Sequence, residues 1–301
     1  MRLAQTTALA LLIAFSGISS RAQPAAPAPA PTATTVGANL NLTPKRITLD
    51  KGRRSATVYI YNQGTAPATF DIALVDRVMT TDGQIVSVAE ATPAQKPLTA
   101  ALRSAKDILL ISPRRATLAP GQGQTIRLRI ASVPQDATGE YRSHLTVTTI
   151  PPPSVGLSAE QAAQGGPASL SFQITSVFGI SIPAIVRFSD ADVRAAIQNA
   201  HIEFAQISPD GTSPPKRTAV MVFELARLGP SSLFGNVQIK SLSQRSGDPI
   251  GLARGVGVYP EVPQRTLRLP LTRVPSSGEK LEITFTDDDT SPGKLLAKLD
   301  L

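Results

Sequence analysis

Apolar and polar residues alternate with a period of two along most of this chain. The longest run is S-L-S-F-Q-I-T-S-V-F-G-I-S-I-P at 169–183, where the even positions of 170–182 are large and apolar except for Ser176. The odd positions are mostly small or polar, as a β-strand with one buried face requires. Shorter runs of the same kind fall at 38–42, 46–49, 55–62, 68–75, 108–113, 125–130 and 140–150. Turn signals end them: D-K-G at 50–52, N-Q-G-T-A-P at 62–67, T-D-G at 81–83 and A-P-G-Q-G at 119–123. After Pro183 the pattern resumes at 201–207, 218–228, 235–242, 250–259, 266–272, 280–286 and 294–301. About seven short strands per block predict an all-β chain of two tandem immunoglobulin-like β-sandwiches. Helical periodicity is nearly missing; only a short stretch around 191–198 is compatible with it. Pro183 and the following A-I-V-R-F read as the hinge between the blocks.

The first residues follow another pattern. Arg2, an apolar run at 8–15 and the small residues ending Ser20-Arg21-Ala22 predict a cleaved signal peptide over 1–22. The run is well short of the roughly 20 apolar residues that span a bilayer. Alternating Ala and Pro at 23–37 predict a flexible leader. The expected folded domains are then 38–184 and 185–301 of an exported protein. The chain has no cysteine, so its stability rests on burial, and thiol nucleophiles and thiolate-bound metals are excluded. The formal charge is +8, of which Arg2 and Arg21 belong to the signal segment. The remaining basic residues are scattered instead of clustered on one element, which argues against a nucleic-acid partner.

Catalytic chemistry finds little footing. Two histidines, His144 and His201, lie in no metal-ligand spacing. No nucleophile elbow or phosphate loop occurs, and G-Q-G at 121–123 reads as a hairpin turn. The Asp287-Asp288-Asp289 run lacks a full calcium ligand set and reads as a solvated loop. The expectation is a protein that is not an enzyme, with no cofactor, metal or small-molecule substrate.

The strand at 170–182 is too long for one small sandwich. At about 3.3 Å per residue its 13 positions reach about 43 Å. Either its even face completes the home core, or part of it stays at an edge for strand addition to a partner. It follows a long Pro/Gly/Ala connection at 151–168.

Three segments resemble the periplasmic pilus-assembly chaperones, the PapD-like family. They are L-T-P-K-R-I-T-L-D-K-G-R-R-S-A-T-V-Y-I-Y-N-Q-G (42–64), S-P-R-R-A-T-L-A-P-G-Q-G-Q-T-I-R-L-R (112–129), and E-Y-R-S-H-L-T-V-T-T-I-P-P (140–152) with the long strand that follows. The resemblance implies a boomerang of two immunoglobulin-like domains that caps an unfinished pilus or fimbrial subunit by donor-strand complementation and delivers it to an outer-membrane usher. Leu170, Phe172 and Ile174 then occupy the donor positions, with Ala168 a fourth, and 178–182 stays in the home sandwich. The family's arginine for the subunit's terminal carboxylate maps onto Arg46. Its lysine partner does not transfer, because an ungapped match puts Gly179 there and 169–183 holds no basic residue. Lys45 and Arg142 are the candidate substitutes. The disulfide common in the family's long-loop branch is also absent. A self-capping dimer is the arrangement open to the unbound chain. The competing function is a structural two-domain sandwich of a cell-envelope complex without a chaperone cycle.

Overall fold

The period-two alternation is carried into two stacked pairs of sheets. The computed structural model describes residues 40–151, 177–243 and 247–301, all within one compact unit, Val36–Leu301. In the first sandwich one sheet contains β1 (Leu40–Thr43), β3 (Ser55–Asn62), β9 (Gly123–Ile130) and β7 (Leu109–Ser112), in the order β1-β3-β9-β7. The facing sheet has β2 (Ile47–Asp50), β11 (Gly179–Arg187), β10 (Glu140–Ile150), β4 (Ala68–Val75) and β8 (Arg115–Leu118), in the order β2-β11-β10-β4-β8. The first strand region thus changes sheets: β1 pairs antiparallel with β3, and β2 pairs parallel with β11. Inward positions two apart, such as Val58 and Ile60, Phe70 and Ile72, or Leu145 and Val147, are buried in the shared core. Each such side chain contributes about 1.5–3 kcal/mol through its burial.

Turn chemistry closes these strands as the sequence implies. Buried Asn62 donates through Nδ2 to the carbonyls of Ala66 (2.9 Å) and Leu118 (3.0 Å), and its Oδ1 accepts from the Gly64 N–H at 2.9 Å. Asp50 Oδ1 accepts from the N–H groups of Gly52 (2.8 Å) and Arg53 (2.7 Å).

The second sandwich pairs a three-stranded sheet, β12 (Ala195–Ile207), β13 (Lys216–Arg227) and β16 (Gln264–Pro270), with a four-stranded one. The latter runs β15-β14-β17-β18, with β14 (Leu233–Ser241), β15 (Pro249–Val258), β17 (Leu281–Asp287) and β18 (Leu295–Asp300). This seven-strand, three-on-four arrangement is immunoglobulin-like. Its core holds Met221, Phe223, Val237, Ile239, Ile283 and Phe285.

Several elements differ from the sequence expectation. The stretch 191–198 is not helical: from Ala195 it belongs to β12, where Ile197 pairs with Leu225 of β13. Tertiary pairing overrides the weak helical preference of an Ala-rich segment. A short helix, α1 (Lys96–Ala101), and a small hairpin of β5 (Arg77–Met79) and β6 (Ile85–Ser87) were not visible as alternation. Pro183 is not a hinge. β11 continues through it to Arg187, paired with β10 as far as Glu140. The missing N–H is tolerated there because β2 joins the other edge of β11 only from Ala184 onward.

The first sandwich also reaches into the second core. Met79 and Ile185 are buried among its residues, Leu98 packs against it, and the Thr266 N–H donates to the Thr81 carbonyl at 2.8 Å.

Candidate functional site

The described part of the long strand shows where its apolar face leaves the core. Ile182 is 3% exposed inside the first sandwich and Ile180 packs partly against it, whereas Phe178 is 44% and Val177 56% exposed. The strand course nonetheless continues. The Thr149 N–H donates to the Phe178 carbonyl at 2.8 Å, and the Phe178 N–H donates to Thr149 Oγ1 at 2.9 Å. Among the described residues, β11 from Gly179 to Pro183 has β10 on one side and no ladder on the other. Ala168, Leu170, Phe172 and Ile174 lie outside the described residues.

Beside this edge a polar network joins the two sandwiches. Arg46 directly precedes β2, so the β2–β11 register sets it alongside Pro183, one residue before the Ile47–Ala184 pair. Gly179, where the ungapped match looked for a lysine, is four positions away along β11. The Arg46 Nη2 donates to Asp289 Oδ2 at 3.1 Å and to Ser232 Oγ at 3.2 Å, and its guanidinium lies 4.6 Å over the Phe234 ring centroid. Its Nε and Nη1 are buried with no partner among the described residues.

Arg187, at the end of β11, holds the same carboxylate from below. Its Nη2 donates to Asp289 at 2.7 Å and its Nε to Glu140 at 2.9 Å. Glu140 Oε2 also accepts from the Ser232 hydroxyl at 3.1 Å. Burial alone would raise the Asp289 carboxyl, but Arg46 and Arg187 outweigh it and hold the group below the usual carboxylate range. The aspartate run at 287–289 is therefore not simply a solvated loop. Asp287 is buried and accepts from Thr290 Oγ1 and the Ser291 N–H, both at 2.6 Å, and Asp289 ties the sandwiches together. No cluster suited to a metal occurs among the described residues.

The two candidate second cations are placed differently. Lys45 is exposed and donates to Asn41 Oδ1 at 2.7 Å. Arg142 is buried and turned inward: it pairs with Glu261, donates to the Arg77 carbonyl at 3.0 Å and lies 3.7 Å over the Tyr259 ring centroid. Sequence reading passed over Arg187, Glu140, Glu261 and Ser232. The available signal was charge inside apolar strands, as in A-I-V-R-F and E-Y-R-S-H-L.

His144, opposite Pro183 in the ladder, is buried with its ring 6.3 Å from that of Tyr259. Burial pushes its imidazole down from 6.5 to about 3, and Arg142, Arg77 and Arg46 add repulsion. Between these values the unfolded state binds a proton that the folded state refuses. Stability contributed by neutral His144 is thus complete above pH 6.5 and is lost as pH falls toward 3. We expect His144→Gln to flatten the stability–pH curve by about 1.4 kcal/mol per pH unit from about one unit below pH 6.5 down toward about pH 4. Urea unfolding of both proteins at a series of pH values measures this, and an unchanged slope would count against the assignment.

Fold and site together describe a protein of two immunoglobulin-like sandwiches in which, among the described residues, β11 from Gly179 to Pro183 is unpaired on one side, beside a buried arginine network. No family model matches the sequence, and no curated protein matches it. Among solved structures the chain is similar to the E. coli chaperone DraB, at 12% identity and TM-score 0.42, covering 87% of this chain and 95% of that one. It is similar to the Pseudomonas aeruginosa CupB2 chaperone at 12% identity and TM-score 0.41, covering 86% and 98%. The structure of the Salmonella enterica SafA pilin in complex with the SafB chaperone matches at 11% identity and TM-score 0.41, covering 87% and 95%.

Proposed function

We propose that the protein is a periplasmic chaperone that holds a pilus or fimbrial subunit by strand donation and passes it to an outer-membrane usher. The observation that carries this reading is the exposure of Phe178, directly before β11, whose Gly179–Pro183 part has no ladder on one side among the described residues. In the sequence the even-position apolar pattern runs on upstream through Ile174, Phe172 and Leu170, with Ala168 beyond. In this reading they fill the gap of a subunit that lacks one strand, and main-chain bonds along the free edge set the register. Each large side chain so buried contributes about 1.5–3 kcal/mol before the cost of ordering.

Arg46 is the carboxylate anchor in this reading. Its Nε and Nη1 have no partner among the described residues, which leaves charged donors to offer a terminal carboxylate. Residues 1–22 act as the export signal and 23–37 as a leader to the first domain. Described residues contain no helix long and apolar enough to cross a membrane.

The test is co-expression with small β-rich secreted subunits, followed by isolation of a soluble one-to-one complex. Phe172→Asp should abolish recovery of the complex while the chain itself stays folded, and Arg46→Ala should weaken it about tenfold. Complex formation undiminished by Phe172→Asp would remove strand donation and leave a structural role in the envelope.

A further inference from the structure

The outer face of the first sandwich carries an arrangement that strand donation does not use. Val58 and Ile60 of β3 are fully buried, so Thr57, Tyr59 and Tyr61 stand on the opposite face. Beside them in register on β9 lie Arg127, Thr125 and Gly123, with Arg129 one step further along. β1 adds Asn41 and Thr43 on one flank, and β7 adds Leu110 and Ser112 on the other. None of these positions is a carboxylate. Arg127 and Arg129 are exposed, and among the described residues neither has an ion-pair partner.

The two tyrosine rings are neighbours on this face. Their centroids are 6.4 Å apart with planes inclined by 27°, a stacked pair. Two residues along a strand advance about 6.6–6.8 Å, so the separation follows the rise of β3. Gly123 makes room for this. A Cβ there would collide with the Cζ and Oη of Tyr59, so the tip of that ring rests on glycine backbone. Tyr59 is 48% exposed.

An exposed aromatic pair suits a ligand that is itself flat and apolar on one side. The C–H face of a sugar ring meets that description, and its polarised hydrogens are attracted to the electron-rich ring face. An extended peptide draws its affinity from main-chain bonds at a strand edge, yet β3 and β9 are interior strands whose ladders are already paired. The unopposed guanidinium groups add a preference for carboxylates. We propose that this face binds an acidic polysaccharide, its sugar rings lying on Tyr59 and Tyr61 and its carboxylates held by Arg127 and Arg129.

Calorimetric titration of the full chain with oligogalacturonate tests this independently of any subunit. Binding is expected to weaken about tenfold in Tyr59→Ala and to survive in Tyr59→Phe, with thermal unfolding checking that both variants fold. Arg127→Ala and Arg129→Ala should each weaken binding and reduce its salt dependence, and they carry the test should Tyr59→Ala fail to fold. The proposal is overturned by no binding to the parent protein, or by equal binding in a folded Tyr59→Ala. Equal affinity for polyglutamate or a single-stranded oligonucleotide would also overturn it, by showing a general attraction for polyanions.

Discussion

Replacing Arg142 by methionine is expected to destabilise the protein by about 3–5 kcal/mol. The Arg142 and Glu261 side chains are 2% and 1% exposed, so neither charge has water to fall back on. Among the described residues, Glu261 keeps only the Met79 N–H, at 2.7 Å, once the guanidinium is gone. The Arg77 carbonyl loses its donor, and Tyr259 loses the cation over its ring. Methionine refills much of the volume, so the cost comes chiefly from stranding a buried carboxylate. Adding Glu261→Gln should therefore recover much of the loss, because the amide oxygen still accepts from Met79 and carries no charge. Urea unfolding midpoints of parent, single and double variants decide the matter. A single variant within about 1 kcal/mol of the parent would show that Glu261 finds water or another donor. The pair joins β10 of the first sandwich to the segment before β16 of the second, so a split transition in Arg142→Met is the further expected sign.

Aspartate introduced along the even face of β11 should have opposite consequences at two positions four residues apart. Ile182→Asp places a carboxylate in the first core, where no partner is at hand, and is expected to prevent folding or cost at least about 4 kcal/mol. Phe178→Asp places the same group where the side chain is already 44% exposed, so the fold should tolerate it at a cost of about 1 kcal/mol or less. Circular dichroism and unfolding midpoints report the fold, and subunit co-expression reports the binding. If Phe178→Asp unfolds the protein as Ile182→Asp does, the apolar face is core throughout and the open-edge argument fails. A folded Phe178→Asp that loses a subunit would set the start of the donated segment at this residue.

Alternation alone located most of the architecture. The runs at 55–62 and 68–75 coincide with β3 and β4, because one buried face per strand leaves a period of two that needs no knowledge of the partner. Elements too short to show a period were missed: the three-residue strands β5 and β6, the four-residue β8, and α1. Pro183 misled for a local reason. A proline reads as a break, but its effect depends on which neighbouring strands require its N–H, and that depends on where β2 begins to pair.

The site divides along the same line. Arg46 was legible from its segment, and the greasy even face from its period. Neither the Arg46–Asp289–Arg187–Glu140 network nor the Arg142–Glu261 pair was legible, since their members lie up to 243 residues apart and share no local pattern. Sequence by itself determined that this is an all-β chain of two sandwiches, with an apolar alternation that runs on ahead of β11. Only the tertiary structure decided where that alternation leaves the core and which charges stay between the sandwiches. Periodicity records whether a residue faces apolar surroundings, whereas the fate of a charge is set by the partner that folding brings to it.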